Sequence, residues 1–182
     1  MENKENMIQK VPIKEIELFN GAVDIKETLV DCGLEDVLVV GIARGGLNLA
    51  QMLSYGLNCP VETISIQLRD CKTENDPDAL YHKIFDYFSS LVEDCTYKNI
   101  IFTDDLIDSG DTIELIKTVF KDIVKVYKED TNLNIHFAVS FMDKKYLQKI
   151  KEETFADPDL RFSYYYGAFK PDGWLVFPWD II

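Results

Sequence analysis

Four carboxylates converge on one short stretch of this chain, 100-IIFTDDLIDSGDTIELI-116. Asp104 and Asp105 end an apolar run that reads as a buried strand. Asp108 and Asp111 follow in the loop 108-DSGDT-112, and a helical pattern begins directly after it. In a parallel α/β sheet, ligands sit beyond the carboxyl ends of the strands. The free N–H groups and dipole of a helix N-terminus favour an anion there, phosphate above all. Gly110 permits close backbone approach, and Ser109 and Thr112 add hydroxyl donors. Aspartates aimed at a phosphate would repel it, so these must face sugar hydroxyls, a base proton or Mg²⁺. A phosphorylated ribose with a metal satisfies the whole corner. A lone D-S-G-D-T reads first as an ordinary helix cap, since Asp and Ser cap helices and acidic residues suit a first turn. The adjacent pair favours a ligand: two carboxylates ending a buried strand repel each other unless something between them gains from both.

The elements that must position this corner alternate between helix and strand, the pattern of an α/β fold with a central, mainly parallel sheet and flanking helices. Residues 13–31 have apolar residues at helical spacing, interrupted by Gly21. Valine-rich 36-DVLVVGI-42 reads as a strand buried on both faces. It leads through 43-ARGG-46 into a helix, 47–57. A strand at 61–68, a polar loop at 69–78 and an aromatic helix at 79–94 follow. Then come a buried strand at 98–104, a helix at 112–127, a third buried strand at 134–142, a charged helix at 143–153, and strands at 160–168 and 173–179. The expected organisation is one domain over 1–182, with a small C-terminal hood built from about 160–182.

Composition narrows the partners. The 182 residues carry a net charge of −13, which opposes non-specific binding to nucleic acid or to an anionic membrane. No apolar window is long enough to span a membrane. The polar start, MENKENMIQK, lacks the apolar core of a signal peptide. The four cysteines show no C-x-x-C pairing, so reduced thiols in a cytoplasmic protein are expected. Two histidines, His82 and His136, leave little room for a multi-histidine metal site or a histidine-centred triad, and both are expected to be structural or surface residues.

The stretch 100-IIFTDDLIDSGDT-112 resembles the phosphoribosyl-diphosphate (PRPP) signature of type I phosphoribosyltransferases: hydrophobic residues, two acidic residues, two hydrophobic residues, then Asp-Thr/Ser-Gly-x-Thr. The segment 41-GIARGGLNLA-50 resembles that family's pyrophosphate loop, and 173-GWLVFPWD-180 resembles the purine-covering hood of its xanthine–guanine–hypoxanthine branch. The resemblance implies a role for each matching residue. Asp104 and Asp105 would bind the ribose 2′- and 3′-hydroxyls. Asp108, Ser109, Gly110, Asp111 and Thr112 would hold the 5′-phosphate, with Asp108 also serving as general acid/base beside purine N7. Arg44 and Gly45 would hold pyrophosphate, with a non-proline cis peptide at Ala43–Arg44. Trp174 would stack on the base, Leu175 would contact its edge through the backbone, and Asp180 would lie near base and metal. A lysine after the third core strand would donate to the 6-oxo group; Lys144 and Lys145 both meet that description. Mg²⁺ is the implied cofactor, near Asp104, Asp105 and Asp180, directly or through water. Trp179 is left to the core. Arg69 or Lys72 would reach pyrophosphate from the loop. A homo-oligomer, dimer or tetramer, is expected.

The implied activity is purine salvage: transfer of the 5-phosphoribosyl group from PRPP to N9 of xanthine, guanine or hypoxanthine. A phosphoribosyltransferase for orotate, uracil or adenine is the closest rival, opposed by the tryptophan hood and Asp108. A non-catalytic PRPP- or nucleotide-sensing regulator on the same fold would want a basic nucleic-acid face, which a pI near 4.5 opposes. Phosphotransfer receivers also pair aspartates, but without an Arg-Gly-Gly block or a D-S-G-D-T loop.

Overall fold

The computed structural model describes residues 9–66, 77–127, 132–156 and 161–181. In chain order the elements are β1 (Lys10–Pro12), α1 (Glu15–Asp31), β2 (Val37–Ala43), α2 (Leu47–Leu57), β3 (Val61–Ser65), α3 (Pro77–Asp94), β4 (Asn99–Ile107), α4 (Asp111–Tyr127), β5 (Asn134–Met142), α5 (Lys144–Ala156), β6 (Phe162–Phe169) and β7 (Trp174–Val176), closed by a 3₁₀ turn at Pro178–Ile181. Among the described residues, β3-β2-β4-β5-β6 form a five-stranded sheet in that order. Every neighbouring pair is parallel. The valine- and isoleucine-rich runs occupy its middle because only there are both faces of a strand covered.

On one face, Ile25 and Leu29 of α1 and Leu49 and Leu53 of α2 pack on Val39 and Ile101. On the other, α3, α4 and α5 cover Leu38, Ile100 and Phe137. Phe88 of α3 is fully buried there, with ring centroids 5.8 Å from Phe102 and 5.4 Å from Phe120. These two slabs hold the strand ends in fixed register. His136 is buried under the sheet, bonded through Nε2 to Asn99 Oδ1 at 3.0 Å, and burial lowers its pKa to about 4. It is a neutral structural residue, as expected. His82 stands edge-on to Tyr81.

Three features differ from the sequence expectation. α1 runs unbroken through Gly21, because that glycine lies against the backbone of β6: a Cβ on Gly167 would stand 2.6 Å from Gly21 Cα. β4 continues to Ile107 instead of stopping near residue 104, since its ladder with β5 persists to Ile107↔Met142. The hood is not drawn from 160–182 as a block. β6 joins the main sheet beside β5, where Tyr164 stacks on Phe137 at 5.4 Å. The small sheet instead pairs β7 with the N-terminal β1, from Lys10↔Trp174 to Pro12↔Val176. Ile13, Phe141, Leu175 and Phe177 are buried beneath it. β1 is too short to carry a periodic signal, and its pairing partner lies some 160 residues away in sequence. Among the described residues, no helix is long and apolar enough to cross a membrane.

The Gly21–Gly167 contact makes an asymmetric prediction. Gly167→Ala pushes a methyl group into the α1 backbone and should cost about 1–3 kcal/mol, seen as a lower urea midpoint. Gly21→Ala meets the looser 3.1 Å contact and gains up to about 1 kcal/mol in helix propensity, so it should cost clearly less. Equal midpoints for Gly167→Ala and wild type would contradict this packing.

Candidate active site

The chain passes from β2 outward to β3 and then returns to β4 on the other side of β2. Such a reversal opens a crevice at the carboxyl ends of the two strands. Pairing of β2 with β4 ends at Gly41↔Thr103, while β4 keeps its bonds to β5. The last residues of β4 are therefore open on the β2 side, and the turn Arg44–Gly46 fills that opening. Gly46 N–H donates to Ile42 O at 2.9 Å, and Thr103 Oγ1 donates to Gly46 O at 2.8 Å. A Cβ on Gly46 would overlap the Thr103 carbonyl oxygen, and one on Gly45 would overlap the Asp105 carboxyl group. The Ala43–Arg44 peptide is cis, at the position the resemblance implied. The Arg44 side chain is exposed at the mouth.

Asp104 and Asp105 thus sit under a glycine turn. The Asp105 N–H donates to Asp104 Oδ1 at 2.9 Å. Burial raises the Asp104 carboxyl well above its ordinary range, and the Asp105 charge adds to the rise. Asp105 is also raised, by burial and then by the Asp180 charge, against hydrogen bonds from the Trp179 side chain and the Leu106 backbone. Among the described residues no ion pair reaches Asp104, Asp105 or Asp180. Trp179 stacks on Phe177 at 5.0 Å, and its indole lies within hydrogen-bonding reach of Asp105. Asp180 is exposed, and its Oδ2 accepts the Phe177 N–H at 2.9 Å. Oxygen donors with excess negative charge suit a hard divalent cation of the Mg²⁺ kind. Among the described residues they form no cage of three or more ligands. Mg²⁺ usually takes one or two carboxylates and completes its shell with substrate oxygens and water.

The loop after β4 reaches the N-terminus of α4, whose first-turn N–H groups lack intrahelical acceptors. Ser109 Oγ donates to Asp111 Oδ2 at 2.7 Å, and Thr112 is half-buried. Gly110 has φ +83°, and a side chain there would strike the Tyr146 ring. Tyr146 in turn donates to Glu114 Oε1 at 2.8 Å, which ties the first turn of α4 to α5.

Beyond the aspartates lies a cavity of about 200 Å³, lined by Asp105, Asp108, Lys170, Trp174, Leu175 and Phe177, with Asp180 beside them. Leu175 and Phe177 are buried, whereas Trp174 is 57% exposed. A core tryptophan would be hidden, so Trp174 is a wall of this cavity and not part of the packing. Lys170 forms an ion pair with Asp108 Oδ1. A second cavity, about 380 Å³, shares Asp108 and adds Ser109, Asp143, Lys145, Tyr146 and Lys149. Lys144 lines neither of these cavities; its ammonium lies 5.6 Å from the centre of the Phe169 ring. Lys170 escaped the sequence reading, although 167-GAFKPDG-173 puts it between an aromatic strand and the turn into Trp174. Arg69 and Lys72 lie outside the described residues.

The raised carboxyls set a pH dependence. A raised folded-state pKa means that the native protein binds more protons than the unfolded chain, so stability from this source is greatest at low pH and is lost as pH climbs. Asp104→Asn cannot ionise. Its melting temperature should therefore rise relative to wild type, by more at about pH 8 than at about pH 5, in metal-free buffer. A difference that stays constant or shrinks with rising pH would contradict the burial of this charge.

Comparison with known proteins places this geometry. The phosphoribosyl transferase domain family matches residues 12–155. The chain is 29% identical over 146 residues to a xanthine-guanine phosphoribosyltransferase of Cereibacter sphaeroides, covering 79% of this chain and 68% of that one. Among solved structures, a Helicobacter pylori xanthine-guanine-hypoxanthine phosphoribosyltransferase superposes with a TM-score of 0.56 at 16% identity, over 96% of this chain and 94% of that one. A hypothetical protein from Neisseria gonorrhoeae with bound ppGpp gives 0.61 at 18% identity, over 97% and 92%. The switch-point crevice, the glycine turn against paired aspartates and the match over residues 12–155 together identify the chain as a member of the phosphoribosyl transferase domain family.

Proposed function

We propose that this chain transfers the 5-phosphoribosyl group of PRPP to N9 of a 6-oxopurine and releases pyrophosphate. One observation carries the reading: an uncompensated carboxylate pair abuts the Arg44–Gly46 turn and shares a cavity with an exposed tryptophan face. Ribose, pyrophosphate and base then have adjoining places. The likeness to xanthine-guanine phosphoribosyltransferases supports the choice of base class.

In this reading the Asp104 and Asp105 carboxylates accept from the ribose 2′- and 3′-hydroxyls. The N–H groups at the start of α4, with the Ser109 and Thr112 hydroxyls, hold the 5′-phosphate. The purine stacks on Trp174, while the Leu175 backbone and Asp180 border its edge. As N9 forms its bond to C1, the C1–O bond breaks and its electron pair leaves with pyrophosphate. The purine ring then gains positive charge, and Asp108 takes the N7 proton. Arg44 meets the departing anion. Mg²⁺, when bound near Asp104, Asp105 and Asp180, would neutralise pyrophosphate charge. Gly45 keeps the turn low enough for that approach. Lys145, which shares a cavity with Asp108 and Ser109, serves the phosphate in this reading and not the base. A cytoplasmic homo-oligomer completes the proposal.

Nucleotide formation from PRPP, Mg²⁺ and a panel of bases tests the reading; hypoxanthine, guanine or xanthine should react, and adenine, uracil and orotate should not. No product from any 6-oxopurine would sink it. Within that assay, Trp174→Ala should raise KM for the purine by roughly 5- to 150-fold, the range for base–aromatic stacking, and leave KM for PRPP near wild type. Equal effects on both substrates, with a large fall in melting temperature, would remove Trp174 from base binding.

A further inference from the structure

The loop into α4 bends at Gly110, where φ is +83°. The ring of Tyr146 lies on that glycine, so closely that a Cβ there would overlap Tyr146 Cε2. We propose that Tyr146 of α5 is a positioning residue for the 5′-phosphate: it holds Gly110 in place and so aims the N–H groups at the start of α4. This rests on the phosphoribosyl-transfer reading above. The contacts form a closed circuit. The Glu114 N–H donates to Gly110 O at 2.9 Å. The Tyr146 hydroxyl donates to Glu114 Oε1 at 2.8 Å, and the Tyr146 ring returns to Gly110. Tyr146 is only 3% exposed. Its own place is set by the end of β4, because the Asp143 N–H donates to Ile107 O at 2.9 Å. Asp143 Oδ1 then accepts the Lys145 N–H at 2.7 Å and caps the turn of α5 that carries the tyrosine.

Charge allows Glu114 to serve as the anchor. A lone carboxylate in the first turn of α4 would repel a phosphate at the end of that helix. Here the ammonium groups of Lys117 and Lys149 stand 3.1 and 3.2 Å from Glu114 Oε1. The Lys117 side chain is 4% exposed and also reaches Glu153 Oε2 at 2.5 Å. A buried ammonium is costly unless paired, which holds α4 and α5 in the arrangement that pairs it. Glu114 is thereby neutralised while its Oε1 stays fixed for the tyrosine. The phosphate loop has a glycine at its bend, which supplies no stiffness of its own. The stiffness comes from a residue on the next helix but one strand, outside the loop itself.

Steady-state kinetics with PRPP and hypoxanthine, beside melting temperatures, test this assignment. Tyr146→Phe keeps the ring and loses the bond to Glu114; KM for PRPP should rise about three- to tenfold, the scale of one hydrogen bond. Tyr146→Ala also releases Gly110 and should raise it further, toward about a hundredfold, the scale of a displaced binding group. In both, KM for hypoxanthine should stay within about twofold of wild type, because the base does not touch this loop. A rise in Tyr146→Ala alone supports the assignment through the ring. Gly167→Ala, which strains the fold far from the loop, should lower the urea midpoint and leave KM for PRPP unchanged. The assignment is overturned, while the transfer reading stands, if KM for PRPP is unchanged in every folded Tyr146 variant. It is also overturned if that KM rises together with the one for hypoxanthine, or rises in Gly167→Ala as well. Should Tyr146→Ala fail to fold, Tyr146→Phe decides by the same criteria. If wild type makes no nucleotide from any 6-oxopurine, both readings fall together.

Discussion

A side chain at position 46 would overlap the carbonyl oxygen of Thr103, and one at position 45 would overlap the carboxyl group of Asp105. This close contact between a turn and a strand end almost 60 residues apart is the constraint on which the site depends. It exists because β2 stops pairing with β4 at Thr103 while β4 continues against β5. The open side of β4 must be filled, and only a glycine turn is thin enough to fill it without displacing the carboxylates. Both helical slabs serve that end by holding β2 and β4 in register: α1 and α2 on one face, α3, α4 and α5 on the other.

The charge of the corner follows from the same contact. The turn packs against this part-buried pair without giving it an ion-pair partner among the described residues, so burial presses both carboxyls toward the protonated form, helped by the Asp105 charge at Asp104 and by the Asp180 charge at Asp105. A protein already at −13 gains nothing from this in its free state. The arrangement becomes favourable when hydroxyl donors and a cation arrive together. On the proposed reading PRPP with Mg²⁺ brings both, and the anionic groups of PRPP lie where α4 and Arg44 supply positive field. Stability given up in the free protein is recovered on binding, the usual trade at a preorganised site.

Much of this was readable in the residues because its causes are local. Buried parallel strands need unbroken apolar runs, so β2, β4 and β5 stand out. The loop 108–112 has the residue types that a helix N-terminus facing phosphate requires. What escaped depends on long-range partners. β1 forms only because β7 offers it an edge. Gly21 resembled a helix breaker until Gly167 explained it. Trp179 reads as core and does pack under β7, but its nearness to Asp105 depends on the turn after that strand. Lys170 stands between an aromatic strand and the turn into Trp174 in the sequence, but only the end of β6 beside β5 brings it to Asp108. Trp174 is a different case: the resemblance gave it to the base, and its exposure keeps it out of the core.

Calorimetric titration of PRPP into the protein, with and without Mg²⁺, tests the central claim most directly. The account predicts tight binding only when the metal is present, and loss of that binding in the Asp104→Asn/Asp105→Asn protein while it remains folded. Undiminished affinity for PRPP in metal-free buffer, or in the folded double variant, would contradict it.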